Sequence, residues 1–449
     1  MFLIQQEKFL VLNNFNIKRT KFNIKELREC SFYVILLLLE LILIHQISDL
    51  PSALGNWVEK SSQIFNLKIP TSNFYGPGAA LLMVPFHFFP KHLFIANLIY
   101  FGLGTIAYWK IVSNIKNLHL KLIGLISLPA NFYLVWLINS SQDTVFEFFL
   151  LAWSLLFLIR KKYIFFGLVT FLLCLTRSGY WVFFAFTSIL LIFKIYWDSR
   201  VVNFKLLLFV PLLILNSIFN YSNYGSPSPA LEGGVTAYFS YTKYHYLSLP
   251  KMDMDVFLSG PNGSFSKEFG PNRSGSLTES QENQLFQKAA IDSIYANKKE
   301  TLLGWMQKFD SYIFDVQKVP HLPGRYVFDQ KAMTIKIENE RLTWPLVIGN
   351  FFFLIWRSIF LLALLLSVGI FLAIRNIFKE KTNFEFTLWP LMLPYLAGIV
   401  PGLLFYTESR FKVVSEVLLT PLILQIWINL RSLKSMNFYR VNNGIKDGI

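Results

Sequence analysis

The sequence predicts an all-α polytopic membrane protein of about ten transmembrane helices, with one large outer loop containing short helices. Three observations carry that expectation. Of 449 residues, 54% are hydrophobic and only 15% charged, whereas soluble domains carry about 25% charged residues. Apolar runs recur from Phe32 to Leu430, many near the ~20 residues that a helix needs to cross a ~30 Å hydrocarbon core. These runs lack the two-residue alternation of barrel strands, so helices are expected to satisfy the backbone in lipid.

The expected crossings are Phe32–Ile47, Leu93–Val112, Leu122–Leu137, Val145–Ile159, Ile164–Leu175, Trp181–Tyr196, Leu206–Phe219, Leu346–Ile374, Leu388–Phe405 and Val413–Ile428. Charge sets their direction. With the basic N-terminus inside, ten crossings place Lys110, Lys116 and Lys121 inside, as well as Arg160, Lys161 and Lys162. Arg200, Lys205, Arg375, Lys379, Lys381, Arg431, Lys434 and Arg440 fall on the same face, as positive-inside topology requires. Counting Ala79–Phe89 as a crossing would invert the Arg160–Lys162 cluster. That segment is short and bounded by Pro77 and Pro90, so it reads as re-entrant or interfacial. A chain charge of +15 spent in such links does not indicate nucleic acid.

The chain then divides into a cytoplasmic segment (1–30), a transmembrane bundle (31–220) with a first outer loop at 48–78, an extracytoplasmic loop domain (221–345), further transmembrane helices (346–430) and a cytoplasmic tail (431–449). The first 30 residues read as a basic lead-in to a signal-anchor helix, not as a cleavable leader. The 221–345 stretch carries 13 basic and 13 acidic residues, a neutral balance that suits an outer location. Within it, Ser276 with Glu279, or Thr278 with Gln281, has capping-box spacing. Apolar residues at helical spacing follow to Tyr295, and a second amphipathic stretch starts after Asn297. Cys30 and Cys174 fall at opposite faces and read as free thiols.

Chemistry-bearing residues gather on the outer side. Asp49 follows the first crossing, and the turn Tyr75-Gly-Pro-Gly78 opens the interfacial segment. Asp143 stands at the outer mouth of the fourth crossing, Arg177 at the outer end of the fifth, and Glu408, Arg410 and Lys412 in the last short outer turn. Position alone also fits solvated helix-end charges and cations that snorkel to lipid phosphate. Arg410 could hold a phosphate by a forked hydrogen-bond pair, which Lys cannot reproduce. Glu40 and Glu147 are acids inside crossings, each able to pair with a cation such as Arg177 or Arg357. The six histidines are scattered and no HExxH, P-loop or GxGxxG occurs, so no metal signature stands out and no soluble nucleotide donor is expected; Asp253 and Asp255 read as a solvated acidic loop or as weak ligands of a divalent ion, and a divalent-metal requirement is left open.

The order of these features resembles the GT-C superfamily of membrane glycosyltransferases, of the protein-mannosyltransferase and aminoarabinose-transferase type. Asp49 matches its acid after the first helix, Tyr75-Gly-Pro-Gly78 its Pro/Gly-rich aromatic turn, and Asp143 its acid opening the fourth helix. Thr176-Arg177 matches a Thr-Arg pair, the stretch Ala289–Phe309 an outer helix–break–helix, and Glu408-Ser-Arg410-Phe411 with Pro421 a Glu-x-Arg-Tyr with a downstream proline. Departures are the single acid at Asp49, Gly-Pro in place of a proline pair, Lys298 in place of a proline, and an outer domain placed within the helical run. The resemblance implies a polyprenyl-phosphate sugar as donor, a glycan, lipid or protein as acceptor, Asp49 as general base, and contacts to substrate from Tyr75, Asp143, Arg177, Glu408, Arg410 and Lys412. It implies an enzyme of the plasma (inner) membrane, and the one-sided basic links place both termini in the cytoplasm. A polysaccharide polymerase or ligase leaning on Arg273 or Arg325, and a transporter or flippase with broken helices at mid-membrane, are the rival expectations.

Overall fold

The computed structural model describes residues 24–47, 55–72, 76–89, 92–115, 117–131, 143–200, 202–228, 278–314, 325–329, 334–338, 389–404 and 413–427, with scattered positions between them. The chain is helical. Leu93–Val112, Tyr180–Trp197 and Phe204–Tyr224 are long and apolar enough to cross a membrane, and Leu118–Ala130, Thr144–Ile159, Tyr163–Thr176 and Val413–Trp427 are shorter apolar helices.

We label the first part α1 (Ile24–Ile47), α2 (Gly55–Phe65), α3 (Gly78–Met83), α4 (His92–Val112), α5 (Leu118–Ala130), α6 (Thr144–Ile159), α7 (Tyr163–Thr176), α8 (Tyr180–Ser199) and α9 (Phe209–Tyr224). α6 is the axis. Twelve of its 16 residues are buried, and it packs on both α4 and α7. It runs parallel to α4: Tyr100 meets Phe146 and Phe149, and Trp153 Nε1 donates to Leu103 O at 3.0 Å. Gly104 lets the two helices close up, because a Cβ there would stand 2.7 Å from the Phe148 ring. α7 returns antiparallel and is tied to α6 by Ser154 Oγ and Thr170 Oγ1 at 2.7 Å. These directions bring Lys110, Lys121, Arg160, Lys161 and Lys162 to one end of the bundle, hereafter the basic end.

The outer helices invert the pattern of a soluble protein. α8 exposes Phe186, Leu190, Phe193 and Trp197, and α9 exposes Ile214, Leu215, Ile218 and Phe219. Apolar surface on this scale marks contact with a nonaqueous environment or a partner.

The sequence read Leu122–Leu137 as one crossing, but the helix stops at Ala130 and Asn131 caps a new turn at Leu134. The cause is Pro129. It has no N–H for the Leu125 carbonyl four residues earlier, and Tyr33 OH from α1 donates to that carbonyl instead, at 2.7 Å. Ala79–Phe89 does not cross either: it is the six-residue α3 followed by a 3-10 turn at Val84–Phe86.

Beyond α9 lie α10 (Glu279–Ala296) and α11 (Lys298–Phe314), separated at Asn297. The capping box uses Thr278 and Gln281. α10 rests on preceding chain: Ser280 Oγ donates to Gly225 O, Phe286 meets Tyr238, and Ser293 Oγ donates to Tyr241 O. α11 packs on α12 (Leu393–Leu404), and Trp305 Nε1 donates to Tyr241 OH at 3.0 Å. The helical class has one local exception among the described residues. β1 (Arg325–Asp329) and β2 (Thr334–Glu338) pair antiparallel, with Tyr326 opposite Ile337 and Phe328 opposite Ile335 in register. Two five-residue strands rich in β-branched and aromatic types form a hairpin where the sequence suggested loop. The last apolar helix, α13, is Val413–Trp427.

Candidate functional site

The end of the bundle opposite the basic end holds a compact ionic cluster. Asp143 precedes the first turn of α6 and Glu147 lies within it, four residues on, so both carboxylates fall on one helix face. An Asp at an N-cap normally accepts a backbone N–H of that helix. The Asp143 side chain makes no such bond and turns to Arg177 instead. Arg177 stands just past the last residue of α7, in extended conformation (φ −132°, ψ 95°), which frees its side chain from the α7 surface.

The guanidinium bridges both acids. Its Nη2 donates to Asp143 Oδ1 at 2.8 Å and its Nε to Glu147 Oε2 at 3.3 Å. Tyr180, in the first turn of α8, donates its OH to the other Glu147 oxygen at 2.6 Å. The side chains are 9% (Asp143), 3% (Glu147) and 19% (Arg177) exposed. One guanidinium thus serves two carboxyl groups. Hydrogen bonds of this charge-assisted type are roughly twice as strong as neutral ones, and the three helices α6, α7 and α8 are locked at this end by them.

The glycine-rich turn docks on the same place. Pro77 caps α3 and Gly78 is its first residue. A Cβ on Gly78 would lie 2.4 Å from Thr176 Oγ1, 2.5 Å from Thr176 N and 2.7 Å from Leu175 C. Backbone therefore touches backbone, and only glycine permits it. Tyr100 OH of α4 donates to Leu82 O at 2.7 Å and pins the rest of the segment. Three stretches far apart in sequence, at 76–78, 143–147 and 176–180, thus meet at one end of the bundle.

Of the site residues expected from sequence, Asp143 and Arg177 are brought into direct contact. Asp49, Tyr75, Glu408, Arg410 and Lys412 lie outside the described residues, as do Arg273, Arg357, Asp253 and Asp255. Arg325 is in β1, opposite Glu338 in register. The pairing of Glu147 with Arg177 is present; Glu40 shows no salt bridge among the described residues. Cys30 and Cys174 are both free and buried. Tyr180 was not read from sequence, where a tyrosine opening an apolar helix looks like an interfacial anchor. Nor was Glu416, a buried acid on α13, whose signal was only a carboxylate inside an apolar run. Among the described residues no group of three His, Cys, Asp or Glu side chains is placed to hold a metal ion. No family model, no curated protein and no solved structure matches this chain.

Proposed function

We propose that the chain is a multi-pass membrane glycosyltransferase of GT-C-like plan, transferring a sugar from a polyprenyl-phosphate donor to an acceptor at the face opposite the basic end. The observation that supports the reading is the meeting of the Gly76-Pro77-Gly78 turn, Asp143 and Thr176-Arg177. The resemblance picks out each of these separately along the sequence, and nothing in their spacing requires them to be neighbours. In this reading the basic end is cytoplasmic, both termini lie there, about ten helices cross the plasma membrane, and residues 221–345 are outside.

The chemistry follows from residue types. Asp49 takes the proton from an acceptor hydroxyl as its oxygen attacks the anomeric carbon, and the bond from that carbon to the phosphate oxygen breaks with inversion. The electron pair leaves on polyprenyl phosphate, whose growing charge Arg410 and Lys412 stabilise. Arg177, engaged by two carboxylates, orients Asp143 toward the sugar; Tyr75 and Glu408 complete the contacts. Membrane lipid accommodates the polyprenyl tail along the apolar flank of the bundle.

The test is a transfer assay on purified, lipid-reconstituted protein with a radiolabelled polyprenyl-phosphate sugar, comparing wild type with Asp49→Asn. Label moving to a water-soluble or lipid acceptor in wild type alone supports the reading. A second reading is favoured by the break in α5 at Asn131, since interrupted helices line the sites of secondary transporters. It predicts intact donor carried across sealed vesicles, with no transfer in either protein.

A further inference from the structure

The first outer loop ends in an apolar lip. α2 closes with Leu67 N donating to Ile64 O at 2.9 Å and Lys68 N to Gln63 O at 2.8 Å. This is the Schellman pattern, in which the residue at Leu67's place adopts a left-handed backbone and is usually glycine. Leu67 takes it nonetheless, with φ 56°, and its side chain is 96% exposed. A backbone disfavoured for a branched residue, presenting that residue to the surroundings, is unfavourable twice over in water. In hydrocarbon the second cost becomes a gain.

Leu67 is not alone. Phe65 and Ile69 flank it, and Phe88, 76% exposed, and Phe89 project from the neighbouring turn. The two turns are held as one unit. Phe65 packs edge-on against Phe88 at 5.0 Å, Ser61 Oγ bonds His87 Nε2 at 2.6 Å, and Gln63 bonds both the backbone and the hydroxyl of Thr71. The depth of the lip is fixed from two sides. Phe89 lies three residues before α4, whose Leu93–Val112 is long and apolar enough to cross a membrane. Pro70 O accepts from Tyr224 OH at 2.8 Å, at the last residue of Phe204–Tyr224, a second such helix. A surface bracketed by the ends of two crossings sits where headgroups give way to acyl chains.

We propose that the lip formed by Phe65, Leu67, Ile69, Phe88 and Phe89 is immersed in the upper acyl-chain layer of the bilayer leaflet opposite the basic end. The proposal rests on α4 and α9 crossing the membrane and is independent of sugar transfer. Continuity with those two helices selects lipid as the occupant over a second copy or another protein.

The test places a small fluorophore at Leu67→Cys and, separately, at Phe88→Cys in the full chain reconstituted in nanodiscs; the native Cys30 and Cys174 are buried. Each labelled protein is checked for monodisperse elution. Emission is then challenged with a lipid carrying a quencher near the headgroup end of its acyl chain, and with aqueous iodide. At both positions the lipid-borne quencher should remove most of the emission and iodide little. Quenching by iodide but not by the lipid overturns the proposal, because the lip then lies in water. Protection from both also overturns it, because protein then covers the lip. Either position alone reads the outcome if the other variant fails to fold.

Discussion

Replacing Arg177 by Gln removes a cation shared by Asp143 and Glu147. Two carboxylates a helical turn apart, 9% and 3% exposed, would then face each other. Breaking a buried pair by deleting one partner costs about 3–5 kcal/mol, which for a chain this long lowers the unfolding midpoint by on the order of 5 °C. Glu147→Gln alone should cost about 1.5–3 kcal/mol, the worth of its charged hydrogen bonds. The double variant should be more stable than Arg177→Gln alone, because the second change replaces one of two facing carboxyls by an amide able to donate to the other. The coupling should amount to about 0.5–3 kcal/mol. Thermal unfolding of the four proteins in one lipid nanodisc, followed by tryptophan emission, measures all terms. If the double variant falls by the sum of the single losses, Arg177 and Glu147 are energetically independent and the cluster does not lock α6, α7 and α8 together.

Gly78→Ala should destabilise by about 1–3 kcal/mol or more, since the new carbon meets Thr176 and Leu175 backbone that no rotamer change relieves; limited proteolysis of the 65–91 region is the readout. Tyr33→Phe should leave the Leu125 carbonyl without a donor and cost about 1–3 kcal/mol, and Pro129→Ala in the same chain should restore much of it by supplying an N–H, which the paired unfolding curves test. In the proposed glycosyltransferase, Arg410→Lys should weaken donor binding more than Lys412→Arg, at equal membrane levels, because only a guanidinium can make a forked contact to phosphate; equal affinities would remove Arg410 from that role. Glu282 on α10 has its carboxyl pushed up by burial and then by Glu279. The fold therefore favours its protonated form, so α10 should loosen as pH rises from the ordinary carboxylate range of about 4.3 through the higher folded value. Hydrogen exchange of α10 amides in Glu282→Gln should lose that part of the pH dependence.

Some elements were legible because their signals are local. The Thr278–Gln281 capping box and the break at Asn297 mark α10 and α11, since caps act over three or four residues. The break of α5 was less legible. Leu122–Leu137 is apolar on both sides of Pro129, and hydropathy does not register which carbonyl loses its donor. The β1–β2 hairpin was missed because five-residue strands give too short a pattern to outweigh loop composition. Within the site, Asp143 and Arg177 were marked by charge at helix ends, and Glu147 by charge inside one. Tyr180 and the Gly78–Thr176 contact depend on how α8 and α3 return over α6 and α7, a tertiary fact with no local trace.

The contact of Gly78 with Thr176 also has a consequence for biogenesis. One side of the seat of α3 is the end of α7, which is made about a hundred residues later. At roughly 5–20 residues per second, the nascent 55–89 segment waits on the order of 5–20 s before its contact with α7 can form. During that interval α3 can pack on α2 and α4, but Gly78 lacks the Thr176 backbone it meets in the finished protein.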